Sequence, residues 1–268
     1  MHSSYCRPLF IGLPGSGKTT ISTLVANHLG IKVVSTDPLF RYFRVIPSIS
    51  DIPESTVMRH FLMRVQEDHP HKYSELLRDS EVVDEQGRCA LHDGGYFRRQ
   101  YGESIFRLFE IEMLKYLDES GYLSDKIVDL SGSAPLYEEN VALFSPERGY
   151  LAILLDADHN LICQNLIKDY ETYLSQRETG IENSIRGAYE MCFAEALRLA
   201  DNDSKDQRDV ILYREALSMT QKAAQDRMSK YKAFAKLTFY PTSENPPEEL
   251  VKEISAKLDE ISFGERSV

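Results

Sequence analysis

An open α/β sheet, mostly parallel and covered by helices on both faces, is the fold class this sequence predicts. Three observations predict it. Short apolar or β-branched runs recur along the chain, amphipathic helical patterns alternate with them, and a Gly-rich turn joins the first run to the first helix. With 268 residues, 42% hydrophobic and 27% charged, the chain has ordinary globular composition and the length of one large or two small domains.

Taken in order, Pro8 to Ile11 reads as the first strand, and Ile21, Leu24, Val25 and Leu29 follow at helical spacing until Gly30 closes the helix. Ile31 to Val34 is a second β-branched run, ending at Ser35-Thr36-Asp37-Pro38. Ile105, Phe106, Phe109, Met113 and Leu117 form one helical face ahead of a third strand at Lys126 to Leu130. A fourth strand is predicted at Leu151 to Leu155, ending on Asp156, and a fifth at Leu237 to Tyr240. Leu250, Ile254, Leu258 and Ile261 then mark a final helix. Two long intervals interrupt the pattern. The first, residues 38–101, mixes helical and polar segments, and the second, residues 161–228, is largely helical but broken by Gly180 and by the acidic stretch Asp201 to Asp209. Neither is bounded by a clear linker, so both are expected to be insertions on a single domain spanning 1–268.

Charge and length exclude several function classes. No apolar run approaches the roughly 20 residues needed to cross a bilayer, and Met1 to Arg7 lacks a secretory leader's apolar stretch, so a cytoplasmic protein is expected. The 31 Lys and Arg are outnumbered by 42 Asp and Glu, giving a net charge of −11 that disfavours nucleic acid and anionic membranes. Arg41, Arg44, Arg98 and Arg99 make at most a short basic rim. Cys6, Cys89, Cys163 and Cys192 are scattered without a CxxC and read as reduced thiols. The Asp-rich stretches at Asp156 to Asn160 and Asp201 to Asp206 lack the glycine and terminal glutamate of a calcium loop and read as solvated turns. His60, His69 and His71 read as ordinary surface histidines.

Gly12-Leu13-Pro14-Gly15-Ser16-Gly17-Lys18-Thr19 satisfies G-x-x-x-x-G-K-[ST] completely, and it lies between an apolar strand and an amphipathic helix. Glycines let the backbone wrap a phosphate with its N–H groups inward, and the following helix contributes its positive end. Lys18 supplies a mobile charge for the β- and γ-phosphates, and the Thr19 hydroxyl can hold Mg²⁺. ATP is thus the expected cofactor, bound by Gly12, Pro14, Gly15, Ser16, Gly17, Lys18, Thr19 and Thr20, with Thr19 as the metal ligand. A guanine reader N-K-x-D is missing: the nearest string, Asn165-Leu166-Ile167-Lys168-Asp169, has the wrong spacing. Asp129 and Asp156 each end an apolar strand, as the metal-binding Asp of a transport or motor ATPase does, so that class stays open. The short path from the loop to Ser35-Thr36-Asp37 favours a small-molecule kinase, whose second strand ends on an acidic group beside the γ-phosphate.

In the order of its motifs the chain resembles the shikimate kinases. Asp37 stands at the second acidic position of that family's D-x-D, and Gly102-Glu103-Ser104-Ile105-Phe106-Arg107-Leu108-Phe109-Glu110 matches its G-E-x-x-F-R-x-x-E in full. Ser131-Gly132-Ser133 falls where its Gly triplet would, and Arg227, Tyr231 and Ala235 keep three positions of R-x-P-x-Y-x-E-x-A. The resemblance implies a P-loop, nucleoside-monophosphate-kinase-like sheet with enlarged substrate-binding and lid regions, transferring the γ-phosphate of Mg·ATP to a hydroxyl of a small anionic metabolite, shikimate or a compound like it. It further implies that Asp37 orients the accepting hydroxyl, that Arg107 and Arg227 clamp a carboxylate, that Gly132 allows close approach to the backbone, and that Arg177 or Arg186 closes over the phosphoryl group. A planar guanidinium suits a carboxylate bidentately, which supports the clamp.

Each role has a structural competitor. Asp37 can cap a helix beginning at Pro38, Arg107 can pair with Glu103 or Glu110 one turn away, Arg227 can be a solvated helix residue, and Arg177 and Arg186 can be exposed helix-end charges. The sequence also departs from the family. Ser35 replaces the first acid of D-x-D, Ser229 and Ala233 replace Pro and Glu, and the intervals Asp37 to Arg107 and Asp156 to Arg227 are greatly lengthened. These changes leave open a kinase for another small molecule, a nucleoside or a polynucleotide end, and a non-catalytic nucleotide-binding regulator.

Overall fold

The computed structural model describes residues 6–37, 54–81, 100–178 and 205–264. The chain separates into two compact units, residues 1–34 with 125–268, and residues 35–124.

The first unit carries the sheet. Its strands are β1 (Arg7–Gly12), β2 (Lys32–Ser35, reaching the unit boundary), β3 (Lys126–Asp129), β4 (Tyr150–Leu155) and β5 (Leu237–Phe239). Among the described residues they form a five-stranded parallel sheet in the order β2-β3-β1-β4-β5. Register is set by Leu9 opposite Val128 and Ala152, and by Ile153 opposite Leu237. All five predicted strands are present, each within about a residue or two of its expected ends. β4 is buried along its whole length and β1 from Pro8 onward, as central parallel strands covered on both faces must be.

One face of the sheet is closed by α1 (Lys18–Leu29) and by α8 (Pro247–Gly264), the chain's last helix. Ile21, Val25, Val251, Ile254 and Leu258 from these helices form one core with Phe10, Ile127, Leu151, Ile153 and Leu155 from the sheet. The i, i+4 spacing of the helix residues is what aligns them with the strands. Gly30 ends α1 in a left-handed conformation, φ 67°, while its N–H donates to Asn27 O. Two long helices, α6 (His159–Glu178) and α7 (Lys205–Phe234), pack on each other, and α7 also lies on β4. Cys163 and Thr220 meet in that helix pair, and burial pushes the Cys163 thiol's pKa up, keeping it protonated. Cys163 is a free thiol, while Cys89 and Cys192 lie outside the described residues. Between β3 and β4 run a 3₁₀ turn at Ala134–Leu136, the short helix α5 (Glu138–Leu143) and a second 3₁₀ turn at Pro146–Arg148.

The acidic stretch at Asp156 to Asn160 differs from its reading as a solvated turn. Asp158 accepts a hydrogen bond from Leu161 N at 2.8 Å and so caps α6, and Asp156 pairs with Lys232 at 2.9 Å. In the stretch from Asp201, residues 201–204 lie outside the described set, and from Lys205 the chain is already helical.

The second unit contains α2 (Glu54–Asp68), α3 (Pro70–Glu81) and α4 (Glu103–Glu119). Phe61 meets Phe109 edge to face at 5.5 Å, and the buried Glu112 is matched by Arg64 at 3.1 Å. The helical face foreseen from Ile105 to Leu117 is the buried face of α4. Within this unit, residues 38–53 and 82–99, most of the first predicted interval, lie outside the described residues.

Phe10 is fully buried at the centre of the first unit's core. Phe10→Ala is expected to lower stability by about 3–5 kcal/mol through the cavity it leaves, read as a fall in the urea midpoint at unchanged slope. A loss below about 1 kcal/mol would show that the site collapses without cost.

Candidate functional site

Parallel pairing brings the carboxyl ends of the strands to one edge, where Gly12 ends β1 opposite Leu155 of β4 and Phe10 is opposite Asp129 of β3. Chain connections diverge to either side of β1 here, the position at which open α/β sheets bind ligands. The loop from Gly12 to Lys18 fills this place. A Cβ on Gly12 would stand 2.6 Å from Ser16 Oγ and 3.0 Å from Leu155 O, so the loop folds back tightly enough to exclude a side chain there. Gly15 is left-handed, φ 80°, and a Cβ on it would meet Ile162 O at 2.9 Å. Ser16 N donates to Leu13 O at 3.1 Å, and Asn165 Nδ2 donates to Gly15 O at 2.8 Å. No side chain caps α1, whose N-cap is Gly17, so its first N–H groups remain directed along the helix axis into the loop. Ser16 Oγ is buried without a hydrogen-bond partner among the described residues, a polar atom held inside the same cradle. This cradle is of the kind that takes a phosphate.

Three side chains meet beside it. Lys18, 9% exposed, lies with Nζ 3.7 Å from Asp129 Oδ1, and Thr19 Oγ1 donates to Asp129 Oδ2 at 2.6 Å. Asp129 is 2% exposed, and its position in the neighbouring strand is what carries its carboxylate to the start of α1. A buried carboxylate is costly unless matched by a cation and hydrogen bonds, and Lys18 and Thr19 provide both. The carboxylate and hydroxyl are hard oxygen donors of the type Mg²⁺ takes from proteins, one or two at a time, with phosphate and water completing its shell. Among the described residues no cluster of three or more His, Cys, Asp or Glu is placed to hold a metal by itself.

Gly132 lies across from the loop: a Cβ there would be 3.6 Å from Gly12 O and 3.8 Å from Pro14 Cδ. Arg227 Nη1 donates to Gly132 O at 3.4 Å, and the Tyr231 hydroxyl donates to the same oxygen. Lys230 reaches Leu136 O at 3.1 Å, so the last turns of α7 are tied to the segment after β3. The turn also ties to the end of β4 through Lys232, whose pKa the hydrogen bond and charge of Asp156 raise. Arg227 is thus a partly buried residue beside the loop and not a solvated one.

On the other side of the loop a cavity of about 690 Å³ opens between Ser16, Gly17 and Thr20, the α6 residues Gln164, Asn165 and Lys168, and the segment Tyr240 to Asn245 after β5. That volume suits a nucleoside-sized ligand.

Asp37 and Arg107 belong to the second unit. Asp37 is half-buried and, with Thr36, takes helical backbone after β2. Arg107, 6% exposed, donates to Glu110 at 2.7 Å and to Glu103, both on its own helix. Arg177 falls in the last turn of α6, with its side chain outside the described set, and Arg186, Arg41, Arg44, Arg98 and Arg99 also lie outside it. His69 and His71 stack edge to face on the second unit's surface. The sequence offered Asp129, alongside Asp156, only as a strand-end candidate for the metal-binding Asp of another ATPase class, and Asn165 only as part of a failed guanine reader. The available signal for Asp129 was its place at the end of an apolar strand after the phosphate loop; for Asn165 there was none.

No family model matches the chain, and no curated protein matches it. Solved structures align over nearly its whole length at low identity. The shikimate kinase from Acinetobacter baumannii in complex with shikimate is 13% identical, covering 94% of this chain and 92% of its own, with a TM-score of 0.48. The shikimate kinase from Bacteroides thetaiotaomicron is 15% identical, covering 94% and 98%, with a TM-score of 0.49. A tRNA isopentenylpyrophosphate transferase from Bacillus halodurans is 14% identical, covering 97% and 99%, with a TM-score of 0.35. At this distance the fold rests on the chain's own sheet order and loop, which are those of a P-loop, nucleoside-monophosphate-kinase-like α/β protein.

Gly15→Ala is expected to strain the loop and press α6 outward, lowering the melting temperature and weakening binding of inorganic tripolyphosphate by at least about tenfold. Calorimetric titration and thermal melts check both. Wild-type affinity in the variant would show that the loop relaxes without penalty.

Proposed function

We propose that the chain is an ATP-dependent phosphotransferase that moves the γ-phosphoryl group to a hydroxyl of a small anionic metabolite, shikimate or a compound of similar shape. The observation that carries this reading is the meeting of Lys18, Thr19 and Asp129 at the phosphate cradle. Residues Gly12 to Thr20 would hold the triphosphate, and the cavity beyond Thr20 would take the nucleoside. Thr19 and Asp129 would hold Mg²⁺, which when bound neutralises charge on the β- and γ-phosphates. Asp129 then supplies the carboxylate that Ser35 lacks, and this favours the catalytic reading over a purely regulatory nucleotide-binding protein.

The protein's own contribution is positioning and charge. Lys18 would exchange its contact with Asp129 for the transferring phosphoryl oxygens, Mg²⁺ when bound taking its place as the cation that matches the buried carboxylate. Asp37 would orient the accepting hydroxyl and take its proton. Arg227, anchored on Gly132 by one nitrogen, keeps guanidinium donors for the acceptor's carboxylate. Arg107 would join it only by exchanging Glu103 or Glu110 for substrate. Arg177 is the candidate to act from the lid. A cytoplasmic enzyme acting on a small molecule fits the net charge of −11, and no described helix is long and apolar enough to cross a membrane.

ADP release measured over a panel of hydroxylated acids, sugars and nucleosides tests the reading. Turnover with shikimate or a similar acid is expected, falling at least about a hundredfold in Lys18→Ala and in Asp37→Asn. Undiminished activity in Asp37→Asn would remove its role as base, and ATP binding with no phosphorylated product from any acceptor would put the regulatory reading first.

Asp129→Asn separates the metal contribution. It keeps the shape but loses the charge, so Mg²⁺-dependent ATP affinity is expected to fall about tenfold or more while affinity for Mg²⁺-free tripolyphosphate holds or rises. Equal Mg²⁺ dependence in variant and parent would take Asp129 out of the metal's surroundings.

A further inference from the structure

We infer that Asn165 is a positioning residue for the phosphate loop, acting through the Gly15–Ser16 peptide. The inference rests on the phosphate-binding role proposed above for the loop. In a trans peptide the carbonyl and the following N–H point in opposite directions, so holding one holds the other. Asn165 Nδ2 holds Gly15 O at 2.8 Å, and Leu13 O holds Ser16 N–H at 3.1 Å. Both ends of this one peptide are pinned by partners outside it. If the peptide turned over, Gly15 O would face the cradle and set a negative dipole against the anion that the N–H groups of α1 are directed toward. Such a turn rotates ψ of Gly15 and φ of Ser16, and it is eased at Gly15 because the missing Cβ leaves its backbone less restricted.

The amide of Asn165 is itself held ready. It sits on the second turn of α6, where Ile162 and Leu166 on the same face press against Gly15. Asp158 caps that helix through Leu161 N, and Asp158 N donates to Pro241 O at 3.1 Å, bracing the helix start against the segment after β5. The side chain therefore meets the loop from a fixed base and spends little entropy in doing so. A second role competes, because Asn165 also lines the cavity and could touch a nucleoside directly. The two roles differ in what they change: pinning the peptide acts on the phosphates, whereas a base contact acts on the nucleoside.

Calorimetric titration of the full chain with inorganic tripolyphosphate, Mg·ATP and adenosine distinguishes them. In Asn165→Ala, affinity for tripolyphosphate and for Mg·ATP is expected to fall together by about five- to thirtyfold, the range one lost hydrogen bond to a positioned group allows. Adenosine affinity and the melting temperature without ligand are expected to stay near the parent's. Asn165→Asp keeps the volume but turns a carboxylate on the Gly15 carbonyl, and should bind tripolyphosphate more weakly still; Asn165→Gln, which keeps an amide donor, should recover part of the loss. Tripolyphosphate binding unchanged in Asn165→Ala, or adenosine affinity falling with it, overturns the inference while leaving the phosphotransferase reading standing. An unaltered chain that binds neither tripolyphosphate nor Mg·ATP overturns both.

Discussion

The pairing of β1 with β3 on one side and β4 on the other is the constraint on which the site depends. None of Gly12, Lys18 or Asp129 is near the others by accident of a flexible loop; a two-sided hydrogen-bonded register sets the height of each strand end, and burial of β1 and β4 on both faces prevents a slip. Shifting β3 by one residue would turn Asp129 to the opposite face of the sheet and leave a carboxylate in the apolar core. The register and the buried ion pair therefore enforce one another: the carboxylate is tolerable only where Lys18 and Thr19 meet it.

A second layer of restraint comes from the long helices. α6 presses on Gly15 from one side of the loop, and the end of α7 grips the carbonyls of Gly132 and Leu136 on the other. Lys232 adds a tie to Asp156. The loop thus sits between two helix ends that are each bonded to backbone, and a polar backbone that would otherwise have to be solvated is satisfied by side chains.

Strand and helix were legible from periodicity, because burial of a parallel sheet on both faces demands continuous apolar runs and the covering helices demand an i, i+4 stripe. The phosphate loop was legible because its glycines are required by local sterics. Asp129 was half legible: a carboxylate ending an apolar strand is visible in the sequence, but its bond to Thr19, 110 positions earlier, follows from strand order, which no local pattern encodes. Arg107 shows the reverse case. Its partners at i−4 and i+3 were readable from helix geometry alone, while any role toward a ligand depends on contacts that spacing does not determine. Asn165 carried no signal, since an amide bonding a distant carbonyl leaves no pattern of residue types.

The separation of β1 from its central partner bears on how the chain acquires its structure. Arg7 pairs with Tyr150 across 143 positions, so β1 stays without that neighbour until β4 has been synthesised. At typical translation rates this delay is on the order of ten seconds, during which an apolar segment with open hydrogen-bonding groups is exposed to other chains. The sheet that organises the site is therefore left without its central pairing while the intervening chain is made, and that pairing is a step that chaperones would have to protect.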